Sequence, residues 1–375
     1  MRRQNLLALA VGSVVLAAPA AASAAMAYIT TPRDTKVQGQ VVVANDDGSG
    51  ARAVAAGEFA AISPDGTKVA YQDYGNFSKP RKSKAAVVDL ATGESAVLTG
   101  EECIGDLIWA PNSQLIACQT QSSNAKGYLS GNGLGLVSVP PSLAGVAGLE
   151  VKKYIPARGN AVDRSVSFSP DSANIAFGWR RYSDDEGATG VYVAPVATPS
   201  ARKRVLARAT NPVWGAPGIA ASRLGKVRSD VTLEGRSFPM IDTVPTQVWI
   251  VQPDGTGARR VTNFRWRAQG FSAGLVVAAW SPAGTHIAST VGEVSCPAAQ
   301  AGVANISVST GSVQLPMSKT SMIPVAYSAD GQRILVTDGC RGRRASIRVV
   351  SVTGSAQRTL VANAGVVSVS AGWNG

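Results

Sequence analysis

The 375-residue chain has a formal charge of +12, with 39 Gly, 20 Pro, 4 Cys and 1 His. So strong a basic excess suits anionic partners through summed potential, and one histidine leaves little for His-based metal or proton-transfer chemistry. Gly and Pro at this frequency, among short Val, Ile and Thr runs, exclude a helical bundle and point to short strands joined by tight turns.

Residues 1–25, MRRQNLLALAVGSVVLAAPAAASAA, have the layout of an export signal peptide. Arg2 and Arg3 form a basic head, Asn5 to Ala18 an apolar middle, and Ala22-Ser23-Ala24 a small-residue cleavage site. The Arg pair also raises a twin-arginine export route. The apolar part is short and Ala-rich for a membrane span, and no later stretch is long enough for one, so no transmembrane segment is expected in the mature chain. The mature protein is therefore expected to be exported: periplasmic, cell-envelope or secreted. Losing Arg2 and Arg3 leaves it at +10. Residues 26–375 show no linker or composition break, so they read as one large modular domain.

Three short strands come first: AYITT (27–31), QVVVAN (40–45) and ARAVAA (51–56). Next, FAAISPDGTKVAYQDY (59–74) sets two apolar runs around Ser63-Pro64-Asp65-Gly66. That unit recurs as Trp109-Ala110-Pro111-Asn112-Ser113 with LIAC, Phe168-Ser169-Pro170-Asp171-Ser172 with NIAF, Trp280-Ser281-Pro282-Ala283-Gly284 with HIAS, and Tyr327-Ser328-Ala329-Asp330-Gly331 with RILV. The steps between copies are 47, 59, 112 and 47 residues, so the long one holds a hidden copy, which is NPVWGAPGIAAS (211–222). Each copy precedes a second hairpin with a Gly turn, such as TQVWIVQPDGTGARRVT, whose turn needs the positive φ that Gly tolerates. Four strands per 40–60 residues is the mark of a β-propeller blade.

At the far end GVVSVSAGW (365–373) supplies the first strand that the three N-terminal strands lack. The fold expected is an all-β propeller of four-stranded antiparallel blades. Seven blades closed by one C-terminal and three N-terminal strands is favoured over six. Closure removes exposed sheet edges. The recurring Trp109, Phe168, Trp214, Trp280 and Tyr327 are expected to pack between neighbouring blades. Four cysteines in an exported chain are expected to pair, with three possible connectivities. Cys103 and Cys118 flank one hairpin, and Cys296 and Cys340 hold similar places in successive repeats. This favours 103 with 118 and 296 with 340, contributing about 3 and about 4 kcal/mol on loop-closure entropy.

The aromatic-Ser-Pro-Asp-Gly turn with its Ile-Ala-Phe-like strand, best seen at Phe168 to Phe177, and the later Pro253-Asp254-Gly255-Thr256-Gly257, resemble the TolB-type, WD-like propeller repeat of exported bacterial proteins. The resemblance covers nearly all the mature chain and implies a propeller. The family's namesake is similar to a six-bladed ring with a separate N-terminal domain, and neither feature is evident here. Fold alone assigns no function.

No Gly-x-Ser-x-Gly elbow is present to make a prolyl-peptidase-like hydrolase. His286, in THIAS, falls where other copies put Lys68, Asn174 and Arg333, which suits a surface or turn-supporting role. Tyr182 to Gly187, YSDDEG, clusters oxygen ligands without a calcium-loop spacing and reads as a solvated acidic loop. No catalytic constellation, metal site or cofactor is expected.

Charge is the one non-random feature. Loops joining strands two and three share a face with the connections between blades, and they carry most bases outside strands: Lys79, Arg81, Lys82, Lys84, Arg180, Arg181, Arg223, Lys226, Arg228, Arg236, Arg265, Arg267, Arg341, Arg343 and Arg344. The other face collects Asp46, Asp47, Asp65, Asp171, Asp254 and Asp330. One basic and one more acidic face are expected. Ser222 to Thr246, the longest loop, adds Phe238, Met240 and Ile241 beside Arg236, either to contact a partner or to cap its own blade. The function expected is a non-enzymatic binding scaffold that engages a protein or an anionic cell-envelope component through the basic face. Nucleic acid is not expected outside the cell's interior. The alternative is a metal-assisted propeller enzyme, of lyase, lactonase or glycan hydrolase type, acting on a polysaccharide or lactone.

Overall fold

The computed structural model describes residues 25–30, 39–73, 84–123, 129–156, 160–181, 189–223, 231–233, 236–238, 246–263, 274–292, 301–338, 345–371 and 373–374. Its strands are β1 (Met26–Thr30), β2 (Gln40–Ala44), β3 (Arg52–Ala56), β4 (Phe59–Ile62), β5 (Lys68–Asp73), β6 (Lys84–Asp89), β7 (Ser95–Gly100), β8 (Cys103–Trp109), β9 (Leu115–Ser123), β10 (Leu129–Ser138), β11 (Gly148–Ile155), β12 (Asn160–Phe168), β13 (Asn174–Arg181), β14 (Gly190–Pro195) and β15 (Lys203–Ala207). There follow β16 (Ala209–Gly215), β17 (Gly218–Arg223), β18 (Val231–Leu233), β19 (Arg236–Phe238), β20 (Gln247–Val251), β21 (Arg259–Arg260), β22 (Leu275–Trp280), β23 (His286–Val291), β24 (Ala301–Ser307), β25 (Val313–Thr320), β26 (Met322–Tyr327), β27 (Arg333–Asp338), β28 (Ser346–Ser351), β29 (Gln357–Ala362) and β30 (Ala364–Val369).

Antiparallel pairing groups these strands, among the described residues, into runs of four: β4 to β7, β8 to β11, β12 to β15, β16-β17-β20-β21, β22 to β25, β26 to β29, and β30-β1-β2-β3. The first strands of successive runs contact one another in the cyclic order β4, β8, β12, β16, β22, β26, β30 and back to β4. This is a β-propeller with a closed inner ring. The hidden repeat at Trp214 is β16 and β17, and the insertion after Ser222 contains the hairpin β18-β19.

Strand alternation builds the core. Successive side chains on a strand point to opposite faces, and here both faces are covered by a neighbouring run. Met26 and Tyr28 join Leu335 and Val349 of one neighbour, while Ala27 and Ile29 join Ile62 and Val69 of the other. A similar buried apolar cluster fills each gap between neighbouring runs. The expected aromatic positions lie in these gaps and also fasten them. Trp109 Nε1 donates to Ala61 O and Trp280 Nε1 to Val213 O, both at 2.9 Å, and Tyr327 Oη donates to Asn305 Oδ1 at 2.7 Å.

The Ser-Pro-Asp-Gly turn is held by its own side chains. Ser63 Oγ donates to Asp65 Oδ1 at 2.6 Å and accepts from Lys68 N at 2.9 Å, while Asp65 Oδ1 accepts from Thr67 N at 3.0 Å. Gly66 takes φ +70°, the left-handed region that closes the turn.

Closure follows the expected one-plus-three pattern. Strand β30 pairs with β1 from Met26↔Val369 to Thr30↔Ala364. Ser370 N continues the pairing by donating to Ala25 O, and the tail then crosses to other runs, where Ala371 N donates to Pro64 O and Ala329 N to Trp373 O. Trp373 itself is 2% exposed. The Cys103–Cys118 disulfide spans β8 and β9, with Cα atoms 5.5 Å apart, across a bulge between Ile104 and Leu107. Cys296 and Cys340 lie outside the described residues.

Candidate basic site at the loop end

The strand order gives the propeller a turn end, where strands one and two and strands three and four of each run connect, and an opposite loop end. The expected carboxylates do collect at the turn end. Hydrogen bonds from Ser169 and Ala173 hold the Asp171 carboxyl below the usual range, and those from Thr256 do the same for Asp254. Those from Ser328 and Gln332 lower Asp330, and at Asp65 burial pushes upward but the Ser63 and Thr67 bonds outweigh it. The turn end is charge-mixed, however, because Lys203, Arg259, Arg260 and Arg358 open the fourth strands there. Counting only bases outside strands overlooked them. Lys203 Nζ even donates to Asp254 O, at 2.5 Å.

At the loop end, Lys84 opens β6 and is exposed, opposite Asp73 in register. Arg180 and Arg181 end β13, and Arg236 opens β19. Apart from the neighbours Arg180 and Arg181, these bases stand on different strands, and strand pairing does not bring them together. Lys79, Arg81, Lys82, Arg265, Arg267, Arg341, Arg343 and Arg344 lie outside the described residues, as do Lys226 and Arg228.

The structure instead sets Arg223 on an aromatic platform, with Arg208 in its field. Arg223 ends β17, opposite Ala209 on β16 and Gln247 on β20. Its guanidinium lies 4.3 Å from the ring centroid of Trp249, on the same strand as Gln247. Stacking a cation on an indole face is favourable and fixes its plane. Arg208, immediately before β16, takes φ +56° and donates its N–H to Thr189 O at 2.9 Å. Burial and the neighbouring Arg208 charge both push the Arg223 guanidinium below its ordinary range. The Arg208 charge thus reaches Arg223 at reduced dielectric, so that an anion beside the Arg223 guanidinium would be favoured. A planar, oriented guanidinium matches carboxylate or phosphate oxygens in a bidentate way. The sequence signal was Arg at the end of a second strand and Trp two residues into the third, a diagonal cross-strand pair.

Among the described residues no group of three metal-ligating side chains occurs, and no helix is long and apolar enough to cross a membrane.

The chain matches no family model and no curated protein. Among solved structures it is similar to TolB from Acinetobacter baumannii, at 17% identity and TM-score 0.51, covering 92% of this chain and 66% of that one. It thus spans just under two thirds of that TolB. It is also similar to an oligogalacturonate lyase from Vibrio parahaemolyticus, at 11% identity and TM-score 0.57, covering 88% and 91%. The β-propeller domain of the Trilobed protease from Pyrococcus furiosus aligns at 14% identity and TM-score 0.56, covering 90% and 95%. At such identities the likeness is one of fold, and that fold is the β-propeller shared by TolB and by propeller enzymes.

Proposed function

We propose that this protein is an exported, non-enzymatic propeller scaffold that holds an anionic envelope component, or the acidic surface of a protein, against its loop end. The observation that carries this reading is the Arg223 guanidinium stacked on Trp249, with the Arg208 charge in its field. A guanidinium held on an indole face, with a second positive charge in its field, favours an anionic ligand. The bases that the sequence places between strands two and three would extend the same field, and the Cys103–Cys118 bond is in keeping with an oxidising compartment.

The test is co-sedimentation of mature protein with isolated cell-envelope fractions over a salt series. Wild type should bind at low salt and weaken steeply as salt rises. Arg208→Gln with Arg223→Gln should reduce low-salt binding about tenfold, a loss of about 1.4 kcal/mol, with the melting temperature kept. Equal binding by the double variant would overturn the reading.

A further inference from the structure

A second feature lies at the opposite end, between the runs β22 to β25 and β26 to β29. There a cleft of about 280 Å³ is lined by Ala283, His286, Asn305, Gln314, Asp330 and Gln332, among others. Its origin can be read against other gaps, in several of which the turns of adjacent runs are tied or packed together. Asp65 N donates to Ser113 Oγ across the first gap, and Asn112 N to Ser172 Oγ across the second, each at 3.1 Å. In the gap before β22, Pro217 fills the space, since a Cβ on Gly284 would come within 2.5 Å of its Cγ. On either side of β30 the tail bonds Ala329 N to Trp373 O and Ala371 N to Pro64 O.

Between β22–β25 and β26–β29 this tie is missing. The counterpart of Ser113 and Ser172 is Gly331, and the counterpart of the donors Asp65 and Asn112 is Ala283. Among the described residues Ala283 N–H has no partner. The backbone does not demand the glycine: Ser113 and Ser172 take φ +58° and +62° at this position, against +70° for Gly331. Nor does crowding, because a Cβ on Gly331 would meet only Pro282 Cδ, at 3.8 Å. The cleft is therefore an omission that the fold could have filled.

Its lining is polar and lacks Lys or Arg. Asn305 is 4% exposed, and its Oδ1 is taken by the Tyr327 hydroxyl, which fixes the carboxamide and leaves its NH2 as the group with donors to offer. His286 Nδ1 is 3.0 Å from Thr285 Oγ1, so Nε2 is the ring nitrogen left for a ligand. Gln314 and Gln332 add two exposed carboxamides. Asp330 is partnered by Arg333 at 3.3 Å, which offsets its charge. Carboxamides, hydroxyls and an imidazole each both give and take hydrogen bonds, as sugar hydroxyls do, whereas the lining offers a ligand anion no Lys or Arg. The volume sits at the lower edge of the roughly 300–1,000 Å³ usual for small-molecule sites. We infer that this cleft binds one neutral saccharide unit, as a site separate from the basic loop end.

Ligand-observed saturation-transfer NMR on the mature protein tests this, with N-acetylglucosamine, glucose and galacturonate as separate probes at millimolar concentration. The expected result is transfer to at least one neutral sugar and weaker transfer to galacturonate. Gly331→Ser should rebuild the tie to Ala283 N, keep or raise the melting temperature, and abolish the transfer. Gln314→Ala with Gln332→Ala, both exposed and so safe for folding, should lower it independently. No transfer to either neutral sugar, transfer to galacturonate as strong as to them, or transfer unchanged in both variants would each overturn the inference.

Discussion

The Asp of each Ser-Pro-Asp-Gly turn works as a hydrogen-bond acceptor. Asn112 shows this, since its Oδ1 accepts from Gln114 N at 3.0 Å just as Asp171 Oδ1 accepts from Ala173 N at 3.0 Å. Asp171→Asn should therefore leave the melting temperature at neutral pH nearly unchanged. Acid should separate the two proteins. Asp171 is held below the ordinary carboxylate value of ~3.9, so its ionised form favours the folded state. That contribution is complete above the ordinary value and is lost as pH falls through the lowered folded one. Melting curves between neutral pH and strong acid should show a shallower acid decline for the variant. A parallel decline would mean that Asp171 adds nothing as an anion. Such turn residues were legible because their partners lie within five positions along the chain. The contact of Arg223 with Trp249 was not, because it exists only after β17 and β20 pair.

At the scale of strands, the spacing of turns was enough to find the shortened copy at Trp214, since β16 and β17 need only a tight connection at Pro217. The hairpin β18-β19 escaped notice, as its two three-residue strands carry too few positions to show a period. The parallel pairing of β7 with β11, Leu98 opposite Leu149, joins two outer strands 51 residues apart and has no local signal. It covers edges that would otherwise be open. The disulfide between β8 and β9 belongs to this scale. Cys103→Ser with Cys118→Ser should lower stability by about 3 kcal/mol, for a closed loop of about 15 residues, as measured by denaturant midpoint. An unchanged midpoint would show that the strand pairing alone fixes the bulge at Gly105 and Asp106.

For the whole molecule, the tail from Gly365 to Gly375 is a structural strap. It supplies most of β30, buries Trp373, and bonds to residues near the start and in the sixth run. Deleting it removes the ladder to β1 and opens the ring, so a loss above about 4 kcal/mol is expected, the range reserved for major structural lesions. A truncated mature chain that melts with the full one would refute the closure. By itself the sequence determined the blade: turn chemistry, alternation and period are local, and each copy repeats them. It also favoured a run completed by both ends, three strands from one and one from the other, which the pairing of β30 with β1 bears out. The tertiary structure alone decided where function is to be sought. How Arg223 meets Trp249, and whether two turns are tied across a gap, depend on contacts between residues tens to hundreds of positions apart, and no local pattern encodes them.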